Sequence, residues 1–537
     1  MAPISRIDSS ETSAGPSSPW EPFRVAAFRA LWIATLITNL GGWMQDVGAS
    51  WLMTALTSSP LWIALVQSAA SLPIFLLALP AGALADILPR RRILLASNVL
   101  LLSAVSALTL CTFTGHASPT ILLAFTFVVG VGEALAGPAF QAIIGDLVPK
   151  PDLVSAVSLN SVGFNLARAV GPALGGLVLA RWGAGITFLV NAFSFLAVIL
   201  VLWRWQERVK RSVLPSERFI GAVRAGSRYL HYSPELQTVA IRTGAFVLSA
   251  SALWALLPVV VRSANEGPTE YGVLLGALGA GALVGGALLP LMRKHLSLNS
   301  IVVAATCAFG ISTLGPAFLS TFREMVVLML LGGVGWISMV STMNIATRAV
   351  VPAWIQARAI AVYLLVLQGG LALGSVAWGL IASRFGLRTA LAGAGVGLLL
   401  TVLLAVLYPL HSGKERDLEI VAKWPEPDFF PDTQHESAPV LVTVEYVITP
   451  ESLREFRLEM RQMEQLRRRN GALQWGLFAD PRYPCTYLEE FLVESWLEHQ
   501  RQHERVTVAD ALLQDRIWAL HVGTDHPRVV HFLAEES

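Results

Sequence analysis

The chain has 537 residues, of which 54% are hydrophobic and only 14% are charged. A soluble protein carries about 25% charged residues, so the composition excludes an ordinary soluble enzyme and indicates an integral membrane protein. The net charge of +2 gives no reason to expect a nucleic-acid partner, and the three cysteines are too scattered for a disulfide framework or a metal-ligand cluster.

The first 24 residues are rich in serine and proline and lack an apolar core, which predicts a disordered tail and not a signal peptide. Twelve apolar runs follow, each long enough to cross a hydrocarbon core of about 30 Å as a helix. They lie near residues 28–53, 60–85, 93–114, 119–143, 154–180, 185–203, 241–263, 271–292, 299–319, 325–347, 358–383 and 388–410. The sequence predicts an all-α membrane protein with twelve transmembrane helices.

A polar segment at 204–240 divides these spans into two groups of six, residues 25–203 and 241–410. If the N-terminus is cytoplasmic, the cytoplasmic connections hold fifteen Lys or Arg residues and the opposite side holds five. Because short cytoplasmic loops are enriched in Lys and Arg, this bias predicts that both termini are cytoplasmic.

An internal repeat relates the two groups. At an offset of 203 residues, GVG at 130–132 falls on GVG at 333–335, and ARWG at 180–183 falls on SRFG at 383–386. Gly171 falls on Gly374, VP at 148–149 on VP at 351–352, and PRRR at 89–92 on MRKH at 292–295. One offset without gaps predicts two parallel six-helix halves, as in transporters whose binding site lies between repeats.

Charges interrupt the apolar sequence between the second and third spans, where residues 82–92 read GALADILPRRR. Gly82 permits close approach of a neighbouring helix. Asp86 lies at the membrane border, and pairing with the other half in one state only would bias the equilibrium between states. The alternative is a topogenic loop in which Arg90, Arg91 and Arg92 only fix the orientation.

The fifth span contains GFNLARAVGPALGG, residues 163–176. Small residues at intervals of four form one helix face that is able to pack closely against a neighbour. Pro172 removes a helix hydrogen bond and favours a bend. The small residues of this motif are Gly163, Ala167, Gly171, Gly175 and Gly176.

Both segments resemble the major facilitator superfamily. In that superfamily a Gly-x-x-x-Asp pattern followed by Gly-Arg-Arg/Lys helps to lock the cytoplasmic side; Gly82, Asp86, Arg90 and Arg91 match it, whereas Ile87 and Pro89 replace an expected Arg and Gly. The sequence GPALGG resembles a signature of the superfamily's exporters, which implies export. NLGGWMQDVGASWLMTALTSSP and FLVESWLEHQRQHERVTVAD are similar to a bacterial branch, the transmembrane secretion effectors, that includes the enterobactin exporter.

Three ionisable residues lie inside predicted spans, where such residues are rare and functional by default: Asp46, Glu133 and Arg168. Their repeat mates at the offset of 203 are the uncharged Ser249, Trp336 and Leu371. Asp46 and Glu133 are candidate proton sites with Arg168 as counter-charge, because a carboxylate at this depth is able to bind and release a proton as access alternates. A static ion pair between Arg168 and either carboxylate is the alternative.

The composition changes after residue 410. Residues 411–438 form a charged linker, and residues 439–537 have the strand–helix–strand–strand–helix–strand order of a ferredoxin-like domain. This order resembles the dimeric α+β barrels, which include small monooxygenases, and implies a homodimer. His499 and His503 lie four apart with no apparent third ligand, which favours a solvated helix face over a metal site. We expect an accessory or dimerising domain without a catalytic residue.

Together these features predict a secondary active transporter of the bacterial inner membrane that exports a small amphipathic molecule, such as a drug or siderophore, by alternating access. The proton gradient is the expected energy source, because no Walker-type phosphate loop occurs, and no cofactor is expected. An uptake facilitator of the same fold and an exporter fused to a catalytic tail are the alternatives. The expected partners are the lipid bilayer and the small-molecule substrate.

Overall fold

The computed structural model describes residues 18–205, 227–319, 321–410, 438–523 and 526–534. Most of the predicted N-terminal tail, central segment and linker lies outside these residues, and so does the side chain of Asp86. The long helices are α1 Ala26–Leu56, α2 Pro60–Ile87, α3 Arg90–Phe113, α4 Pro119–Leu147, α5 Leu153–Trp182, α6 Ala184–Arg204, α7 Pro234–Ser263, α8 Pro268–His295, α9 Leu298–Leu314, α10 Phe322–Ala349, α11 Gln356–Phe385 and α12 Leu387–Thr401.

Eleven helices of the described chain are long and apolar enough to cross a membrane. The remaining long helix is α1, which spans 31 residues. Its mean hydropathy is lower because its middle carries Asn39, Gln45 and Asp46. Since α1 packs against α5 and α6 inside the bundle, it is the twelfth member, and the predicted fold class is confirmed.

Local sequence signals set the helix ends. Prolines occupy the first turn of α2, α4, α7 and α8, where a missing backbone N–H is tolerated. The hydroxyls of Ser118 and Ser233 accept hydrogen bonds from the first-turn backbone N–H groups of α4 and α7. Gly183 and Gly386 end α5 and α11 with φ of 81° and 90°, a conformation that favours glycine.

The two halves repeat one packing pattern. In the first half α1 packs against α5 and α6, α2 against α4, and α3 against α4 and α6. In the second half α7 packs against α11 and α12, α8 against α10, and α9 against α10 and α12. Each contact has its counterpart six helices later, so the halves are structural repeats.

The offset between the repeats is not constant, and the gapless alignment is wrong for the first three helices. α10, α11 and α12 begin 203 residues after α4, α5 and α6, but α7, α8 and α9 begin 208 residues after α1, α2 and α3. The shift arises because α9 has only 17 residues against 24 in α3. The structural mate of Asp46 is therefore Trp254, not Ser249, and PRRR does not align with MRKH.

The halves meet along two helix pairs, α2 with α11 and α5 with α8. We call the end of the bundle where α1 begins and α11 begins the terminal end, and the opposite end the distal end. One apolar core includes residues of both halves. At the terminal end the core splits: one cluster around Phe28, Ile93 and Leu147 belongs to the first half, and another around Tyr229 and Ile355 belongs to the second.

Residues 440–533 form a small α+β domain with strands β1 Val440–Val447, β2 Ala472–Ala479, β3 Thr486–Val493 and β4 Arg528–Leu533. The antiparallel sheet has the order β2-β3-β1-β4, as in a ferredoxin-like arrangement. Its helices are α13 Leu453–Asn470, α14 Trp496–Glu504 and α15 Val508–Ala519. The predicted second helix is two helices, because Thr507 caps a new start with its hydroxyl while Asp510 bonds back to the Thr507 N–H.

Candidate functional site: a cleft between the halves

Both seams between the halves are tight toward the distal end. The Ser68 hydroxyl donates to the Ala372 carbonyl at 2.8 Å, and a Cβ on Gly369 would lie 2.8 Å from the Phe75 ring. On the other seam, a Cβ on Gly272 would lie 2.7 Å from Cα of Gly176. Small residues thus let the backbones of the two halves approach closely here.

Both seams open toward the terminal end. Leu61, Ser68, Phe75 and Gly82 recur every seven residues on α2, so Gly82 lies on the stripe that faces α11. No described atom lies within 4 Å of a Cβ built on Gly82. On α8, a Cβ built on Gly279 would touch the Arg168 carbonyl oxygen of α5, so this face of α8 packs against α5. Seven residues later on the same face, a Cβ built on Gly286 has no described atom within 4 Å. The structure is therefore closed at the distal end and open at the terminal end.

Asp46 and Glu133 line the cleft that this opening creates. Both side chains are exposed although each is surrounded by helices. Asp46 on α1 lies within electrostatic range of Glu133 on α4 and of Tyr271 on α8, a helix of the other half. A side chain between these helices faces the interface of the halves and not the lipid.

Open space adjoins both carboxylates on the terminal side. Gly42 precedes Asp46 by one turn of α1, and Gly137 follows Glu133 by one turn of α4. In both cases that turn lies on the terminal side, and a Cβ on either glycine would have no described atom within 4 Å. Both carboxylates are accessible to water, and the space beside them extends toward the terminal end by at least one helical turn.

Arg168 is brought to the same interface but pairs with neither carboxylate in the described structure. It is 9% exposed, and its guanidinium carbon lies 6.0 Å from the Trp43 ring centroid and 5.8 Å from that of Trp254. Trp254 belongs to the second half, so Arg168 joins the halves by cation–π contacts. Its Nε has no hydrogen-bond partner. The static ion-pair alternative is wrong for this state.

The second half presents tryptophans where the first presents carboxylates. Trp254 is the structural mate of Asp46, and Trp336 is the mate of Glu133. Their ring centroids are 5.4 Å apart at an interplanar angle of 69°. Trp336 also packs against Phe246 and Phe309. The mate positions are therefore asymmetric, with acids in the first half and tryptophans in the second. Trp254 reaches the interface of the halves through Arg168, whereas Trp336 is 7% exposed and supports Trp254 from the packed core.

The small residues of α5 pack mainly against α1. A Cβ on Gly171 would lie 2.7 Å from Cβ of Trp43, and one on Gly175 would lie 2.8 Å from Cα of Met44. Gly163 faces Trp32 of α1, and Ala167 is fully buried. Gly176 instead faces α8, and Pro172 lies inside a helix that continues without a break. These contacts fix α5 between the acidic cleft and the opposite half.

The arginines after α2 bind within the first half. Arg90 forms an ion pair with Asp146 of α4 at 2.6 Å. Arg91 donates from Nε to the Leu202 carbonyl at 2.8 Å and thereby caps the end of α6. Asp146 was not predicted as a partner of Arg90. The signal for it in the sequence is a lone acidic residue at the end of the fourth span. Tyr271, which stacks on Trp51 with centroids 5.9 Å apart, was not predicted either.

The apolar interior of the α+β domain encloses a polar network. The fully buried Glu489 carboxylate accepts from Arg467 Nε at 3.1 Å, from the Tyr446 hydroxyl at 3.0 Å and from Trp475 Nε1 at 3.0 Å. Burial, with the nearby Glu489 charge, raises the pKa of Tyr446, so the phenol stays neutral as a donor. Because every partner is satisfied, the network specifies the packing of this domain.

The two helical histidines are not on a solvated face. His499 is 1% exposed, its Nε2 lies 3.3 Å from Nε2 of His503, and its ring centroid is 4.8 Å from that of His531. The expectation of a solvated pair is wrong, because β4 brings a third imidazole from distant sequence. Even so, no group of three ligands in the described chain has the geometry for a metal ion.

Acid is expected to destabilise this domain through the histidine cluster. Burial, followed by the neighbouring imidazoles, lowers the pKa of His499 to about 3, and burial lowers that of His503 to about 4. Because the unfolded imidazoles bind protons near pH 6.5, stability falls as the pH drops below that value, by about 2 kcal/mol per histidine at pH 5.

Hydrogen exchange of the β1 and β3 amides in the full chain at pH 7 and pH 5, corrected for intrinsic rates, measures this loss. In His499→Gln the acid-dependent loss of protection should be roughly halved, because one of the two strongly shifted imidazoles is removed. Equal protection of the wild-type domain at both pH values would contradict the expectation.

Twelve helices in two repeated halves around a cleft that is open at one end define a multi-pass membrane transporter of the major facilitator superfamily. The sequence profile described as "Transmembrane secretion effector" matches residues 17–537. The chain belongs to the transmembrane secretion effector family.

Individual relatives agree with this assignment. The chain is 27% identical over 404 residues to the multidrug efflux pump Tap of Mycolicibacterium fortuitum, covering 73% of this chain and 96% of Tap. It is 25% identical over 289 residues to the staphyloferrin A transporter of Staphylococcus aureus, covering 53% and 72%. It is 24% identical over 324 residues to the enterobactin exporter EntS of Salmonella typhimurium, covering 59% and 76%.

Solved structures share the fold at low sequence identity. A bacterial homologue of the human lysosomal transporter Spinster, inward-facing and unoccupied, has a TM-score of 0.54 at 17% identity and covers 72% of this chain and 96% of its own. A bacterial homologue of the iron transporter ferroportin in an inward-facing state has a TM-score of 0.58 at 16% identity, covering 71% and 98%.

Proposed function

We propose that this transporter is a proton-coupled exporter of a small amphipathic molecule and works by alternating access. The observation that carries the proposal is the cleft, in which the exposed Asp46 and Glu133 lie within electrostatic range of each other and Asp46 lies near Tyr271 of the other half. Carboxylates that open to one side of a membrane are able to exchange protons there. Trp43 and Trp254, which lie around Arg168 at the interface of the halves, suit a substrate with an apolar or flat portion.

The export direction is supported by relatives and by the α5 motif. Tap and EntS are named as an efflux pump and an exporter. The proposal includes both drugs and siderophores as substrate classes. We place the protein in the bacterial inner membrane with both termini cytoplasmic, from the excess of Lys and Arg at the terminal end. The structure would then be the cytoplasm-open state.

The mechanism requires the terminal end to close. Along the α2–α11 seam, Ser68 lies opposite Ala372 and Phe75 lies opposite Gly369. Because the two helices are antiparallel, the end of α2 then lies at the same height as the start of α11. Closing would bring Gly82 onto α11 as tightly as Phe75 lies on Gly369. Asp86 follows Gly82 by one turn, so the gate proposed for this loop acts on α11. The homodimer through the α+β domain stays a prediction.

Cellular accumulation tests the proposal. Host cells with the protein or with an empty vector are exposed to a cationic dye, an antibiotic and a catecholate siderophore, with and without a protonophore. We expect the protein to lower accumulation of at least one compound and the protonophore to abolish the difference. Raised accumulation would make the protein an uptake facilitator, and export that survives the protonophore would remove proton coupling.

A further inference from the structure

The α+β domain is docked on the transporter through one face. Its residues Arg468, Arg469 and Arg505 each lie over an aromatic ring of the bundle, at 5.8 Å from Tyr232, 5.5 Å from Tyr229 and 4.3 Å from Trp354. Tyr229 is 1% exposed and packs edge-on against Trp354 with ring centroids 6.0 Å apart. A buried aromatic pair with cations above it is a specific contact and not a loose tether.

One carboxylate of this contact is shared by several arginines. Glu498 Oε1 lies 2.6 Å from Arg505 Nη1 and 3.8 Å from Arg228 Nη2, and Oε2 lies 3.5 Å from Arg501 Nη1. Arg358, in the first turn of α11, is also within electrostatic range of Glu498, Arg501 and Arg505. Four arginines from both sides of the contact thus surround one acid, and its removal would leave mutual repulsion.

The bundle residues of this contact all lie in the second half or immediately before it. Residues 227–232 precede α7, and Trp354 lies in the connection that leads into α11. The start of α11 is also the place that the end of α2 must approach when the terminal end closes, as the open space around Gly82 indicates. The domain therefore sits where closure of the cleft takes place.

We propose that the α+β domain is a built-in regulator that docks on residues 227–232 and on the start of α11 through Glu498 and three arginine–aromatic contacts, and that docking favours the terminal-open state. The domain adds bulk and a competing carboxylate beside Arg358, both of which oppose approach of α2. Release of the domain shifts the equilibrium toward closure. The inference concerns conformation and does not depend on the substrate or on proton coupling.

Distance measurements between spin labels in the full chain in nanodiscs test the proposal. The native cysteines are first replaced by serine. Labels at Leu458 and Leu296, both exposed, report docking, and labels at Leu88 and Leu296 report closure of the terminal end. Glu498→Gln keeps the shape of the side chain and removes its charge. Trp354→Leu weakens the same contact from the bundle side. Glu490→Gln, on the sheet face turned away from the helices, is the matched control.

Glu498→Gln and Trp354→Leu are expected to broaden the docking distance and to raise the closed population about fivefold, the factor that one charged contact of ordinary strength represents. Glu490→Gln should change neither distance. An unchanged docking distance in both interface variants would overturn the assigned surface. A released domain with an unchanged Leu88–Leu296 distribution would overturn the regulation.

Discussion

Gly82→Val is expected to lower transport by about tenfold or more while leaving the folded, terminal-open protein intact. The valine side chain fits this state, because no described atom lies within 4 Å of its Cβ position. In the closed state the same side chain would be forced against α11. Such overpacking costs about 1–3 kcal/mol, and a cost of about 1.5 kcal/mol or more lowers the closed population by at least about tenfold. Transport is measured with the compound found by the accumulation assay.

Gly82→Ala is the matched control at the same position, because it adds one methyl group and should retain much of the activity. Gly286→Val should reproduce the loss from the other seam, where the same open space occurs. Correct insertion is checked by size-exclusion chromatography and by surface labelling. Wild-type transport by Gly82→Val would show that α2 does not close onto α11.

The second large effect is expected from Asp46→Asn and Glu133→Gln. Each variant removes a proton-binding carboxylate from the cleft but preserves the shape of the side chain. Net transport driven by a pH gradient should fall by about tenfold or more, whereas exchange of labelled for unlabelled substrate across the membrane should continue. Substrate exchange requires only that the substrate-bound protein moves between its two states. Net transport also requires that the protein binds and releases a proton in each cycle.

Glu324→Gln is the matched control for this pair. Glu324 is an exposed acid in the first turn of α10 at the distal end, outside the cleft. Its neutralisation should leave both assays unchanged. If Asp46→Asn and Glu133→Gln retain the wild-type pH dependence, the carboxylates of the cleft do not couple protons to transport.

The helix count and the division into two halves were predictable from the sequence. Each helix is marked locally, by the length of its apolar run and by the proline, serine or glycine residues at its ends. The repeat was found from landmarks near α4–α6, where the helices keep one length, and it failed for α1–α3 because α9 is shorter than α3. That error hid the relation between Asp46 and Trp254.

The charged residues of the cleft were predicted because an ionisable side chain in an apolar helix is conspicuous. Their partners were not, since a linear pattern does not show which helix faces which. Arg168 was assigned to a carboxylate, but the packing of α1 and α7 places Trp43 and Trp254 around it. The docking contact joins Arg358 to Glu498 across 140 residues of chain, and no local pattern relates them.

The most direct test of the central claim is proton movement in proteoliposomes that enclose a pH-sensitive dye. The protein is reconstituted in one orientation, and the substrate is added without an imposed pH gradient. Substrate movement is expected to drive protons in the opposite direction, and Asp46→Asn is expected to abolish the dye signal. Transport of substrate by the wild-type protein with no change in internal pH would contradict the claim.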